Sequence, residues 1–395
     1  MLLMPALLGC HAIASARRTG FDPGTALGVS GNTIRIFCVG DVMTGRGIDQ
    51  ILPHPGNSAI EEPWVRDAAQ YVTLAERAHG RIPRSVSFDY PWGDALDQIA
   101  ACSPDIRLAN LETSVTTSTD RAPKDINYKM SPANAECLSV ARLGCVTLAN
   151  NHVLDWGLGG LSETLRALHL RGIQTVGAGQ NADDARRPAV FELSTRGRVL
   201  VFGFALEASG VPSGWAAGRG AGVFVVRDLS RASLRELTRC VTAFKRTGDL
   251  AIASVHWGSN WGYDISAEQQ KFARALIDEG EIDLVHGHSS HHPRRIECHH
   301  RKLILYGCGD FINDYEGISG NEGYRPNLRL MYFPLVRPHS GDLLALKIRV
   351  LVSRRLRLQS AVREDVTWMH ATLARESASL HFEIAPDGSI DVLPS

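Results

Sequence analysis

The 395-residue chain predicts an α/β protein, a four-layer αββα sandwich in which two sheets are covered by outer helices. Three observations lead there. Apolar, strand-like runs alternate with helix-like stretches in both halves of the chain; each apolar run finishes on polar residues; and no internal repeat, low-complexity tract or Pro/Ser-rich linker separates the halves. The length exceeds the usual range of about 100–200 residues per domain, but large α/β sandwiches reach it as single units. One domain over 32–395 is expected, preceded by a disordered or signal-like tail over 1–31.

The elements follow in order. "TIRIFCVGD", Thr33 to Asp41, is a β-branched and apolar run that ends on Gly-Asp, the first strand. "EPWVRDAAQYVTLAERAHG" and "PWGDALDQIAACSPD" have helical apolar spacing, the first closed by Gly. "IRLANLETS" and "CVTLANNH" read as buried strands running into polar turns, followed by the helix "GGLSETLRALHLRG" and the strand "IQTVGAG". The second half continues with "GRVLVFGFALE", the helix "SRASLRELTRCVTAFKRTG", "LAIASVHWGSNW", the helix "SAEQQKFARALIDEG", "IDLVHGHSSHH" and "KLILYGCGDFI". From about Gly341 the alternation in "LLALKIRVLVSRRLRLQS" predicts antiparallel strands.

Composition narrows the partners. Lys+Arg and Asp+Glu each total 42, so no net basic field exists to hold a phosphate backbone, and nucleic acid is not an expected partner. The eight cysteines show no Cys-x-x-Cys spacing and read as buried reduced thiols, which favours a reducing, cytoplasmic setting. The opening "MLLMPALLGC" resembles a lipobox, so a membrane-anchored lipoprotein is the alternative, with membrane contact only if Cys10 is lipidated. No Lys or Arg precedes that run, and no later stretch reaches the roughly 18 apolar residues of a membrane span.

Chemistry concentrates where the apolar runs end. Asp41, Asn110 with Glu112, Asn151 with His152, His256, and then His286, His288 and His291 all sit at or beyond such ends, the edge where open α/β folds bind ligands. "LVHGHSSHHP" alone holds four of the fifteen histidines. Singly, each residue reads as a turn, a cap or a core histidine. Together they offer hard oxygen and borderline nitrogen donors suited to Mn, Zn, Fe or Ca, as one or two ions. Trp257 and Trp261 beside His256 suggest an aromatic pocket lining. Arg46, in "GRG", offers a fork for a carboxylate or phosphate, and Asn110 completes the substrate-binding candidates. Asp310, Asn313, Asp314 and Glu316 in "GDFINDYEG" suit partners that orient histidines.

"GDVMTGRGID", "NLETSVTTS", "LANNHVLDWGLGGLSETL", "GIQTVGAGQN", "HWGSNWGY", "LVHGHSSHHP" and "LILYGCGDFINDYEG" resemble the CapA family, associated with poly-γ-glutamate capsule synthesis, over residues 33–335. That resemblance implies the calcineurin-like metallophosphatase fold. It assigns Asp41, Glu112, Asn151 and His256 to metal ligation, with His288 and His291 as the final histidine pair and His286 in competition. His152 takes the place of the histidine that protonates a leaving group, with Asp155 and His291 as its companions in catalysis. Two departures stand out: Asp41-Val42-Met43 lacks the usual imidazole of the first motif, and the last motif is stretched to "GHSSHH". The expected function is metal-dependent chemistry on a peptide or polyglutamate-type amide. The alternatives are peptide Cα epimerisation in ribosomal-peptide maturation, a non-catalytic accessory role in capsule synthesis and, more weakly, phosphoester hydrolysis.

Overall fold

A computed structural model describes residues 32–394; the apolar N-terminal stretch with Cys10 lies outside the described residues. The larger sheet has ten strands. Its parallel half runs Gln174–Val176, Cys145–Thr147, Ile106–Leu111 and Ile34–Val42, and its antiparallel half continues through Leu328–Val336, Leu343–Ser353, Ile390–Leu393 and His381–Ile384. The second sheet has seven strands, with Arg198–Leu206, Leu250–His256, Leu284–His288 and Lys302–Leu305 side by side and parallel.

The period-two alternation of the strands builds the layers. From the first strand, Phe37 and Val39 join an outer core with Val72, Ile99, Leu161 and Leu168 of the helices Ala69–His79, Ala95–Cys102 and Gly157–His169. Ile34, Ile36 and Cys38 point the other way, into a middle core shared with Val199, Val201 and Ile252 of the second sheet. The opposite face of that sheet places Leu200, Phe202 and Phe204 under the helices Arg231–Thr242 and Ala267–Asp278. Ser230 and Ser266 cap these two helices, accepting from the N–H groups of Ser233 and Gln269. The result is the expected order of helix, sheet, sheet, helix.

Two elements differ from the sequence expectation. The chain after Ser360, to which the sequence reading assigned no element, forms the helix Arg363–Glu376. Val366, Met369 and Leu373 carry its burial into the middle core, a short apolar stripe in an otherwise polar segment. "GRG" opens the helix Arg46–Ile51, which the sequence reading did not assign.

One close approach sets the site. The short strand Asp310–Ile312 lies parallel to the end of Ile34–Val42, pairing Asp41 with Asp310. The Asp41 N–H donates to the Gly309 carbonyl at 3.2 Å. A Cβ on Gly40 would stand 1.9 Å from that carbonyl oxygen, so only glycine admits the approach.

Candidate metal centre

Both sheets deliver polar side chains to one edge. In the larger sheet Asp41 lies beside Asn110 and Asp310, with Glu112 just past the end of Ile106–Leu111; in the second, His256 lies beside His288. Asp41, Glu112 and Asp310 each place a carboxylate oxygen within 4.8 Å of the others, and Asp41, His256 and His288 do the same with theirs. His256 Nε2 is 3.8 Å from Glu112 Oε1, and His288 Nδ1 is 3.9 Å from Asp41 Oδ1. Asn110 Nδ2 donates to Asp41 Oδ1 at 2.8 Å, and the Ser289 N–H donates to its Oδ2 at 3.2 Å.

Burial and mutual repulsion unsettle the charges. Burial, with Asp310 nearby, pushes the Asp41 carboxyl up to about 7. Burial together with Asp41 and Asp310 drives Glu112 well above the usual carboxylate range. Burial also holds the His256 and His288 imidazoles well below their ordinary value. Carboxyls driven toward the acid beside imidazoles kept neutral are consistent with a site that takes a cation. A second observation agrees: Asn151 Oδ1 is buried with no hydrogen-bond partner, a cost normally met by a donor or an ion. The donor set is therefore consistent with a divalent cation.

Next to this cluster His152 is buried, its Nδ1 2.7 Å from Asp155 Oδ2. Asp155 is itself fixed by Lys124 Nζ at 2.7 Å and the Tyr128 N–H at 2.6 Å. The Tyr128 ring stacks on the imidazole at 3.9 Å. Burial and then the Lys124 ammonium lower His152 to about 4, against the pull of Asp155. The ring is therefore neutral at pH 7, with Nδ1–H directed at Asp155 and Nε2 left as its proton acceptor. His291 is shifted the other way: burial lowers it, but Asp310, 2.9 Å from Nδ1, outweighs that and raises it.

Several candidates from the sequence stand elsewhere than expected. His286 has both ring nitrogens occupied, Nδ1 at 2.9 Å from Ser254 Oγ and Nε2 at 2.9 Å from the Val39 carbonyl, so it ties the sheets together below the cluster. The Arg46 fork is already filled, by Asp314 through Nε and Nη2 and by Glu62 through Nη1. Trp257 is core, donating to the Tyr306 carbonyl at 2.9 Å and stacking on that ring. Asn110 is fully buried and holds Asp41 instead of facing a substrate. Trp261 is partly exposed, 5.4 Å from the His291 ring.

Sequence reasoning placed Asp310 behind the ligands; its carboxylate lies within 4.8 Å of those of Asp41 and Glu112. The signal was available, because "CGDFI" repeats the Gly-Asp ending of "CVGDV". Lys124 and Tyr128 were not anticipated; they lie on a loop without periodicity.

The paired sheets with oxygen and nitrogen donors converging at one edge define a metallophosphatase-like α/β fold. The family model for the bacterial capsule synthesis protein PGA_cap matches residues 35–315, and the chain belongs to that family. It is 46% identical over 369 residues to a "Probable polyglutamine synthesis accessory protein" of Mycobacterium tuberculosis, covering 92% of this chain and 97% of that one. It is 26% identical over 278 residues to "PGA biosynthesis protein CapA" of Bacillus subtilis, covering 70% of this chain and 62% of that protein. With "Capsule biosynthesis protein CapA" of Bacillus anthracis it shares 24% identity over 279 residues, 70% of this chain and 59% of the relative.

Proposed function

We propose that this protein is a metal-dependent enzyme of polyglutamate or capsule production, acting on a peptide or polyglutamate-type amide in a reducing, cytoplasmic setting. The observation that carries the reading is the convergence of Asp41, Glu112, Asp310, His256 and His288. Asp41, Glu112, Asn151, His256 and His288 would hold the ion, with Asp310 completing the set. A divalent cation bound there supplies Lewis acidity toward a substrate oxygen.

The remaining work belongs to the chain. Asp155 holds His152 in one tautomer, so that Nε2 accepts a proton from the reacting group and returns it later in the cycle. The His291–Asp310 pair is the second candidate proton carrier, and it favours the charged form where His152 favours the neutral one. Two imidazoles biased in opposite senses suit an acid and base pair. Trp261 stands at the rim, where a substrate chain would lie. The free state of the described cysteines supports the reducing setting, and among the described residues no helix is long and apolar enough to cross a membrane.

An accessory, non-catalytic role is the second reading, favoured by the printed name of the Mycobacterium relative. Polymer output in a producing strain separates the two. Replacing the gene with His152→Gln or Glu112→Gln is expected to abolish polymer while the protein still accumulates. Full output from both variants contradicts the enzymatic reading.

A further inference from the structure

We propose a second metal site on the molecular surface, in which Asp278, His299 and His300 take a divalent cation of the zinc class through two imidazole nitrogens and one carboxylate oxygen. Their donor atoms lie within 4.8 Å of one another. Asp278 Oδ1 is 2.9 Å from His299 Nε2 and 3.0 Å from His300 Nδ1. The two rings stack at 4.1 Å with 25° between their planes, and both nitrogens reach the same Asp278 oxygen.

The local backbone explains the convergence. Asp278 ends the helix Ala267–Asp278, while the histidines sit in the tight turn joining Ile296–His299 to Lys302–Leu305, whose ends pair His299 with Lys302. His300 and Arg301 hold φ of 47° and 65°, a left-handed pair of the kind that closes two-residue hairpins. Side chains other than those of Gly, Asn and Asp adopt this conformation at a cost; here it turns His300 back toward the helix end. The neighbouring cations are engaged elsewhere, Arg301 with Asp342 at 3.5 Å and Lys302 with Asp283 at 3.1 Å.

The chemistry selects the ion. Calcium takes six or more oxygen ligands and magnesium demands an oxygen octahedron, whereas two imidazoles with one carboxylate suit zinc, nickel or copper. The His300 side chain is 75% exposed, so an ion enters directly from solvent and water fills its remaining positions. Lys302–Leu305 runs parallel to Leu284–His288 and starts at this turn, which places the site at the sheet edge opposite the one bearing His288. The site is therefore separate from the interior cluster, and it does not depend on the proposed function. One consequence is practical: zinc bound here would be counted as interior metal in any simple stoichiometry.

Equilibrium dialysis of the full chain with element analysis tests this. Wild type is expected to bind one zinc equivalent more than the double variant His299→Gln, His300→Gln, whatever the interior takes up, and the two to bind Mn alone equally. Asp278→Asn should weaken the same zinc. Equal zinc uptake by wild type and the histidine double variant overturns the site, and undiminished binding by Asp278→Asn overturns the carboxylate as a ligand. Thermal unfolding without zinc verifies that the variants remain folded.

Discussion

The two sheets contribute unlike halves to one centre. The larger sheet supplies oxygen: Asp41, Glu112 and Asp310, with Asp41 and Asp310 already gripped by Asn110, Asn313 and a backbone N–H. The second supplies nitrogen: His256 and His288, whose Nδ1 atoms stand 2.9 Å apart with no carboxylate in hydrogen-bonding contact. The oxygen half is held by hydrogen bonds from amides and backbone, whereas the two imidazoles meet each other, with Ser254 Oγ 3.2 Å from His288 Nε2; in the proposed function a cation bridges the two halves. Metal choice should therefore divide along the same line, with hard ions governed by the first half and borderline ions by both.

The largest expected effect is at His152, which belongs to the oxygen half yet is assigned to proton transfer. His152→Gln should lower turnover by about 10²–10⁴-fold, the span for losing a general acid or base, while metal content stays unchanged. Steady-state rates beside element analysis check it, and lost metal would move His152 into the ligand set. Next in size is the scaffold behind the oxygen half. Arg46→Met leaves Asp314 and Glu62 buried without their partner, which should cost about 3–5 kcal/mol in denaturant unfolding.

His286 sharpens the comparison from the nitrogen side. With both ring nitrogens committed, His286→Leu should leave Mn and Zn binding intact and cost about 1–3 kcal/mol, because the Val39 carbonyl and Ser254 hydroxyl lose a buried partner. A drop in metal content with stability unchanged would instead make it a ligand.

The smallest effect is a pH trend. Asp41, raised to about 7 in the metal-free fold against 3.8 as an ordinary carboxyl, contributes stability below pH 4 that is lost as pH rises through 7. A cation requires the carboxylate and so displaces that proton. The rise in melting temperature produced by Mn should grow between about pH 5.5 and 7.5, as scanning calorimetry at several pH values would show. A shift that shrinks over that window contradicts the role of Asp41.

Much of this arrangement was legible in the chain. Period-two alternation fixes which residues of "TIRIFCVGD" face helices and which face the other sheet, and the polar ends of the apolar runs mark the edge where Asp41, Glu112, His256 and His288 meet. What stayed hidden depends on pairing across long sequence separations. Asp310 enters the cluster because Gly40, having no Cβ, lets the Gly309 carbonyl and the strand after it lie against the first strand; the repeated Gly-Asp hints at this, but the pairing itself joins residues far apart in the chain, Asp41 and Asp310. Arg46 and Trp257 have the residue types of a binding surface, and only tertiary packing reveals that their polar groups are already satisfied. The helix Arg363–Glu376 escaped because its apolar stripe is too narrow to stand out beside the strong alternation of the preceding strands.

The central claim is that one cation joins the two halves. Calorimetric titration of Mn into wild type and into the Glu112→Ala, His256→Ala double variant, which removes one donor from each sheet, tests it most directly. Saturable binding in wild type and none in the folded variant is the expected result; equal binding in both would contradict it.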